Sequence, residues 1–122
     1  MKSQLIFICG SIFGLIAVIL GAVGSHAFKA ILETNQRTGS WALAVNFQLF
    51  HALLLLYISS QAKDQKSWAA LLAVIGILLF CGSVYAVSLT GIKKTAVLAP
   101  FGGVCLIAAW LVLLTEYWFR KS

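Results

Sequence analysis

The chain has 122 residues, of which 61% are hydrophobic and 10% charged, and its formal net charge is +6. Soluble domains carry about 25% charged and about 45–50% apolar residues, so a soluble globular enzyme, a disordered chain and a disulfide-framed secreted module are all excluded. A chain of this length forms a single domain, residues 1–122.

The positions of the charges show the organisation. Basic residues stand at Lys2, Lys29, Arg37, Lys63, Lys66, Lys93, Lys94, Arg120 and Lys121, and the acids are Glu33, Asp64 and Glu116. Between them run four charge-free segments: Ser3 to Phe28, Thr38 to Ala62, Ser67 to Ile92 and Thr95 to Thr115. A spanning helix needs roughly 20 mainly apolar residues, and all four segments are long enough. Backbone amides in lipid must be satisfied internally, so each segment is expected to be a helix. Runs such as Leu53 to Leu56 lack the in-out alternation of a barrel strand. The sequence therefore predicts an all-α membrane protein with four transmembrane helices over about residues 4–28, 41–61, 68–90 and 97–119. Short connections make neighbours antiparallel, which gives an up-down-up-down bundle.

The first segment has a basic start and ends near Ser25-His26-Ala27, a loose likeness to a cleavage site. Its apolar stretch exceeds the usual 7–15 residues or so of a signal peptide, so it reads as an uncleaved helix. The connection from Lys29 to Ser40 has room for an interfacial turn of helix. Trp41, Trp68, Tyr117 and Trp118 fall at helix ends, where amphipathic rings prefer the headgroup level. Pro100 falls in the first turn of the fourth helix, where its missing N–H does little harm. Lys2, Lys63, Lys66, Arg120 and Lys121 share one side, against Lys29, Arg37, Lys93 and Lys94 on the other, so both termini lean inward. The positive balance suits anionic lipid headgroups and gives no reason to expect nucleic acid as a partner.

Gly10, Gly14, Ala17, Gly21 and Gly24 put five small residues on one face of the first helix. Ala69, Ala73, Gly76 and Ser83 repeat the pattern more loosely in the third, and Gly102-Gly103 open the fourth. In lipid, small residues let backbones approach closely, so these faces are expected either to pack within the bundle or to form the seam of a homo-oligomer. Either way, leucine at Gly14 or Gly21 would disrupt the protein.

Polar residues inside the spans are expensive and often functional. They concentrate on the Lys29/Lys93 side: His26, then Asn46, Gln48 and His51, then Ser83, Tyr85, Ser88 and Thr90. Gln48 and His51 share a helix face, and Asn46 points about 200° away from Gln48. The candidate polar pocket is therefore His26, Gln48, His51, Ser83 and Tyr85, with inter-helix hydrogen bonding as the simpler alternative. His26 and His51 differ in depth by roughly 12 Å, too far for one metal ion, and no metal or cofactor is expected. Cys9, Cys81 and Cys105 form no C-x-x-C pair, and Cys81 and Cys105 could face each other across two helices. Glu33 and Asp64 are loop residues, and Glu116 is four residues from Arg120, its expected partner. No catalytic set can be assembled.

Gly21-Ala22-Val23-Gly24-Ser25-His26-Ala27, Asn46-Phe47-Gln48-Leu49-Phe50-His51-Ala52-Leu53, Phe80-Cys81-Gly82-Ser83-Val84-Tyr85 with Leu89-Thr90, and Ala99-Pro100-Phe101-Gly102-Gly103 with Trp110 together resemble the YgdD-like family of small bacterial inner-membrane proteins, which has mitochondrial relatives. The resemblance covers essentially the whole chain. It departs mildly: Asn46 and Phe47 stand where the family usually has Thr or Lys and Tyr, Val23 where Phe is common, and Ala99 where Thr is frequent. It implies four helices and an inner-membrane address, and no established activity.

The expected function is a non-enzymatic membrane module whose partners are membrane lipids and copies of itself or other membrane proteins. The alternatives are an oligomeric carrier or channel for a small solute, and a lipid- or quinone-binding protein. Four helices in about 120 residues are reminiscent of small multidrug exporters, which rely on a carboxylate in the first helix. The first helix here has none.

Overall fold

The computed structural model describes the backbone of residues 1–62 and 66–121, and the side chains of these except at 62, 120 and 121. Lys63 and Asp64 in the central connection, and the Arg120 side chain expected to meet Glu116, lie outside the described residues. The helices are α1 (Ser3–Ser25), a short α2 (Lys29–Thr34), α3 (Thr38–Ala62), α4 (Trp68–Thr90) and α5 (Ala99–Lys121). The middle of α4 widens into a π turn over Ile77–Cys81, and a 3₁₀ turn (Lys93–Ala96) leads towards α5. Four helices are long and apolar enough to cross a membrane.

The hydrogen bonds between spans establish the topology. Ser3 Oγ, at the start of α1, donates to the Ser59 carbonyl near the end of α3, while Trp41 Nε1 at the start of α3 donates to Leu20 O. Tyr85 late in α4 reaches Gln48 early in α3, and Glu116 late in α5 meets Ser67 and Trp68 at the head of α4. Each successive span therefore reverses direction.

The spans are not equally enclosed. The two middle spans bury 44% and 39% of their apolar windows, against 17% each for the first and last. α1 packs on α3, α5 packs on α4, and α3 packs on α4. The core between them is built from Ile6, Leu54, Leu55, Ile58, Ala69, Ala70, Ala73, Ile77, Cys81, Leu106 and Ala109. The outer faces of α1 and α5 carry exposed aliphatic and aromatic side chains, as a lipid-facing helix does.

The interfacial turn of helix expected between Lys29 and Ser40 is present as α2, while the end of α1, the setting of Glu33 and the start of α3 differ from the sequence expectation. α1 ends at Ser25, three residues early, so His26 caps the helix instead of lying inside it. The next six residues after the turn form α2, which places Glu33 on a helix and not in an open loop. α2 closes at Asn35, after which Gln36 turns left-handed at φ 55° and Arg37 N–H bonds back to Leu32 O. α3 then begins at Thr38, ahead of the expected Trp41.

Small residues lie where helices touch. A Cβ on Gly10 would sit 3.0 Å from Ala52 O and 3.1 Å from Leu55 Cβ, and Ala17 is wholly buried. A Cβ on Gly24 would run into the Trp41 indole, and one on Gly21 would stand 3.4 Å from Val45. The face of α1 that they form is thus turned to α3. Gly14 is looser, since a Cβ added there would stand 3.8 Å from Ala52 Cβ. Gly102 of α5 lies against the backbone of Leu79 and Phe80 in the π turn, whereas a Cβ added to Gly103 would only reach the Phe80 ring edge at 4.0 Å.

Candidate functional site

Gln48 and His51, one helical turn apart on α3, face the interior and are 3% and 7% exposed. Gln48 Nε2 donates to the Phe13 carbonyl of α1 at 2.8 Å, and its Oε1 accepts from the Tyr85 hydroxyl of α4 at 2.7 Å. One carboxamide therefore joins three spans. His51 Nδ1 lies 2.7 Å from the Phe47 carbonyl, and Nε2 is 3.1 Å from the Trp110 indole nitrogen of α5. A carbonyl can only accept and an indole N–H can only donate, so Nδ1 carries the proton and Nε2 accepts. Both ring nitrogens are thereby engaged.

Aromatic rings extend this arrangement. Phe80 stacks on Phe47 at 5.2 Å, Phe47 lies 6.1 Å from the His51 ring, and Trp110 meets His51 edge-on at 6.0 Å. Cys81 lies beside them and points its Sγ at the Ala44 carbonyl, 3.4 Å away. It therefore faces α3 and not Cys105, and all three cysteines are free.

The sequence cluster is only partly assembled. Gln48 and Tyr85 are bonded to one another, His51 is one turn away on the same helix, and Ser83 is buried at 6% exposure. His26 is exposed at the end of α1 and stays apart from the others. Among the described residues, no three His, Cys, Asp or Glu side chains come together as a metal site would require.

The roles of Trp41, Trp110 and Asn35 went unrecognised in the sequence. Trp41, expected at the headgroup level, is only 3% exposed, because Gly24 leaves room for its indole against α1. Its ring packs on Tyr85 at 4.8 Å and on Phe28 at 5.9 Å. Trp110 is the donor to His51, and the available signal was a tryptophan placed well inside a span, where its N–H needs a partner. Asn35 donates to the Ser88 and Leu89 carbonyls, closing the C-terminal end of α4 beside Gly91, whose φ is 70°. Ser88 Oγ itself is buried without a hydrogen-bond partner among the described residues.

Glu116 acts at the other end of α4. Its carboxylate accepts from Ser67 Oγ at 2.9 Å, Trp68 N–H at 2.7 Å and Ala69 N–H at 3.2 Å. These amides open a helix and have no intrahelical acceptor, so an anion is favoured there. Both ends of α4 are thus capped by other elements.

Three surface depressions lie elsewhere. A cleft of about 240 Å³ between α1 and α3 includes Ser25, Thr38, Trp41 and Asn46. A groove of about 350 Å³ is lined by Tyr57 of α3 and Trp110, Leu113, Leu114 and Tyr117 of α5. A third, of about 340 Å³, separates α2 from the end of α4. None of the three is lined by Gln48, His51, Ser83 or Tyr85.

Residues 20–103 match the family described as protein of unknown function (DUF423). The chain is 33% identical over 114 residues to a UPF0382 membrane protein of Staphylococcus haemolyticus, covering 91% of this chain and 93% of that one. A Staphylococcus aureus UPF0382 membrane protein gives the same identity and coverage. The UPF0382 inner membrane protein YgdD of Escherichia coli is 30% identical over 118 residues, covering 93% of this chain and 89% of YgdD. The chain belongs to this YgdD-like family. No solved structure matches it. It is a multi-pass protein of the bacterial inner membrane, with four helices able to span it.

Proposed function

We propose that this chain is a non-enzymatic membrane module that acts by contact with copies of itself or with other membrane proteins. One observation carries the reading. The polar groups that a solute pathway would need are spent on neighbouring spans: Gln48 uses both ends of its amide, and His51 uses both ring nitrogens. Such bonds average about 0.6 kcal/mol each in lipid and hold helices together without offering a passage. The most open apolar surface lies on the outer spans, where a protein or lipid neighbour would sit.

Lipid or quinone binding is the second reading, and the cleft containing Ser25, Thr38 and Asn46 favours it. Native mass spectrometry of the protein released gently with its surrounding lipid separates the two. The contact reading expects a defined protein assembly with no small molecule retained in fixed stoichiometry. A single retained ligand per chain, surviving lipid exchange, would replace it with the binding reading.

A further inference from the structure

Leu43, Asn46, Phe50, Leu53 and Tyr57 follow spacings of 3, 4, 3 and 4 along α3. Such spacing forms one stripe, and here the stripe faces outward. Leu43 is 49% exposed, Phe50 62%, Leu53 55% and Tyr57 55%, and Asn46 is exposed among them. Lipid tails solvate the other four well, but not Asn46. It lies eight residues beyond Thr38, about 12 Å along the axis and so within the hydrocarbon. No described residue hydrogen-bonds its carboxamide. Ser11 on α1 also faces outward, but a hydroxyl can turn back onto the carbonyl four residues earlier. A mid-helix carboxamide has two donors and an acceptor to place, and needs a partner outside its own helix.

We propose that this face of α3 is the dimerisation surface of the chain, with a second copy alongside in the same orientation and Asn46 bonded to the partner's Asn46. The inference rests on the contact reading above and names the partner. A carboxamide is complementary to itself: across a two-fold axis each donates one N–H to the other's oxygen. A single polar residue in an otherwise apolar 3-4 seam fixes register and partner number in paired helices. The surface beside the ridge also receives a second helix, because one depression borders it at Asn46 and another at Tyr57.

Depth decides the orientation. Asn46 lies about 5 Å from the centre of the Thr38–Gln61 span. In an inverted pair the two carboxamides would be roughly 10 Å apart along the axis, each level with a leucine, and could not meet. In a parallel pair they stand at equal depth.

The test uses the full chain in phosphatidylethanolamine–phosphatidylglycerol vesicles, with donor and acceptor dyes on a C-terminal tag and lipid added stepwise. Energy transfer is expected to fall on dilution as a dimer dissociates. Asn46→Gln keeps the dissociation constant within about twofold, and Asn46→Leu raises it about tenfold, as loss of one inter-helix amide pair does in lipid. Unchanged circular dichroism in Asn46→Leu separates dissociation from misfolding. Leu43→Cys is expected to cross-link to itself on oxidation above the wild-type blank. In an inverted pair those sulfurs would be about 20 Å apart and would not cross-link. No energy transfer above the random level, an Asn46→Leu dimer as tight as wild type, or no Leu43→Cys product would each overturn the proposal. So would an Asn46→Leu chain that loses a bound lipid while remaining the same oligomer. A monomer found in stoichiometric assembly with another membrane protein would refute the dimer and leave the contact reading standing. Small-solute flux that vanishes in His51→Ala would instead refute the contact reading.

Discussion

Gly102 lies directly against the backbone of the π turn, and that contact makes a quantitative prediction. A Cβ built at position 102 would stand 2.7 Å from Phe80 Cα and 2.8 Å from the Leu79 carbonyl carbon. Carbon atoms in contact prefer about 3.5–4.0 Å, so α5 would have to retreat by roughly 0.8 Å or more. The opposing atoms are backbone and cannot rotate away, which places the cost near the top of the overpacking range, about 3 kcal/mol. Alanine returns about 1 kcal/mol of helix propensity, leaving Gly102→Ala less stable by about 2 kcal/mol. Gly82 is the control. It too is helical, at φ −58°, and nothing stands within 4 Å of its added Cβ. Gly82→Ala should therefore gain about 1 kcal/mol. The two variants then differ by about 3 kcal/mol, readable by reversible unfolding in mixed micelles of rising SDS fraction followed by circular dichroism. A Gly102→Ala protein as stable as Gly82→Ala would refute the packing argument.

The remaining predictions concern the polar contacts. Tyr85→Phe leaves Gln48 Oε1 without its donor and should cost about 0.6 kcal/mol, and no more than about 1.7, in the same unfolding assay. Glu116→Ala uncaps α4 and should cost about 1–2 kcal/mol; amide exchange at Trp68 and Ala69 should rise in that variant and stay unchanged elsewhere in α4. Trp110→Phe and His51→Ala should be non-additive, because each removes the same hydrogen bond, and a double-mutant cycle measures the coupling. Gly14→Ala should be tolerated where Gly10→Ala is not, since the first meets Ala52 Cβ at 3.8 Å and the second Ala52 O at 3.0 Å.

The four spans were legible because lipid imposes so few backbone solutions that charge-free length alone identifies them. The glycine face of α1 was legible as a packing face, though whether it met its own bundle or another copy was not; the structure turns it to α3. Gln48 and Tyr85 were legible as members of one leaflet's polar cluster, and Asn46 as turned away from Gln48; that the first two bond directly and that Asn46 faces outward depends on how the spans pack. The misses have local causes. Trp41 carries the usual mark of an interfacial anchor, but the gap left by Gly24, remote in sequence, draws it inward. The hold of Glu116 on the start of α4 left no local signal, because tertiary contact alone brings its three donors to the carboxylate. His26 fell out of the proposed pocket because α1 stops one residue before it. The π turn has no periodicity signature, since it adds one residue to a continuous apolar run.

The central claim is that the buried polar residues bind span to span and serve no passing solute. The most direct measurement is native mass spectrometry of the wild-type chain and of His51→Ala, released from the membrane with their lipid. The expected result is the same protein stoichiometry for both, each at its own ligand-free mass, with His51→Ala coming apart at lower collision energy. A small molecule held by the wild type at one per chain and absent from an otherwise intact His51→Ala assembly would contradict it.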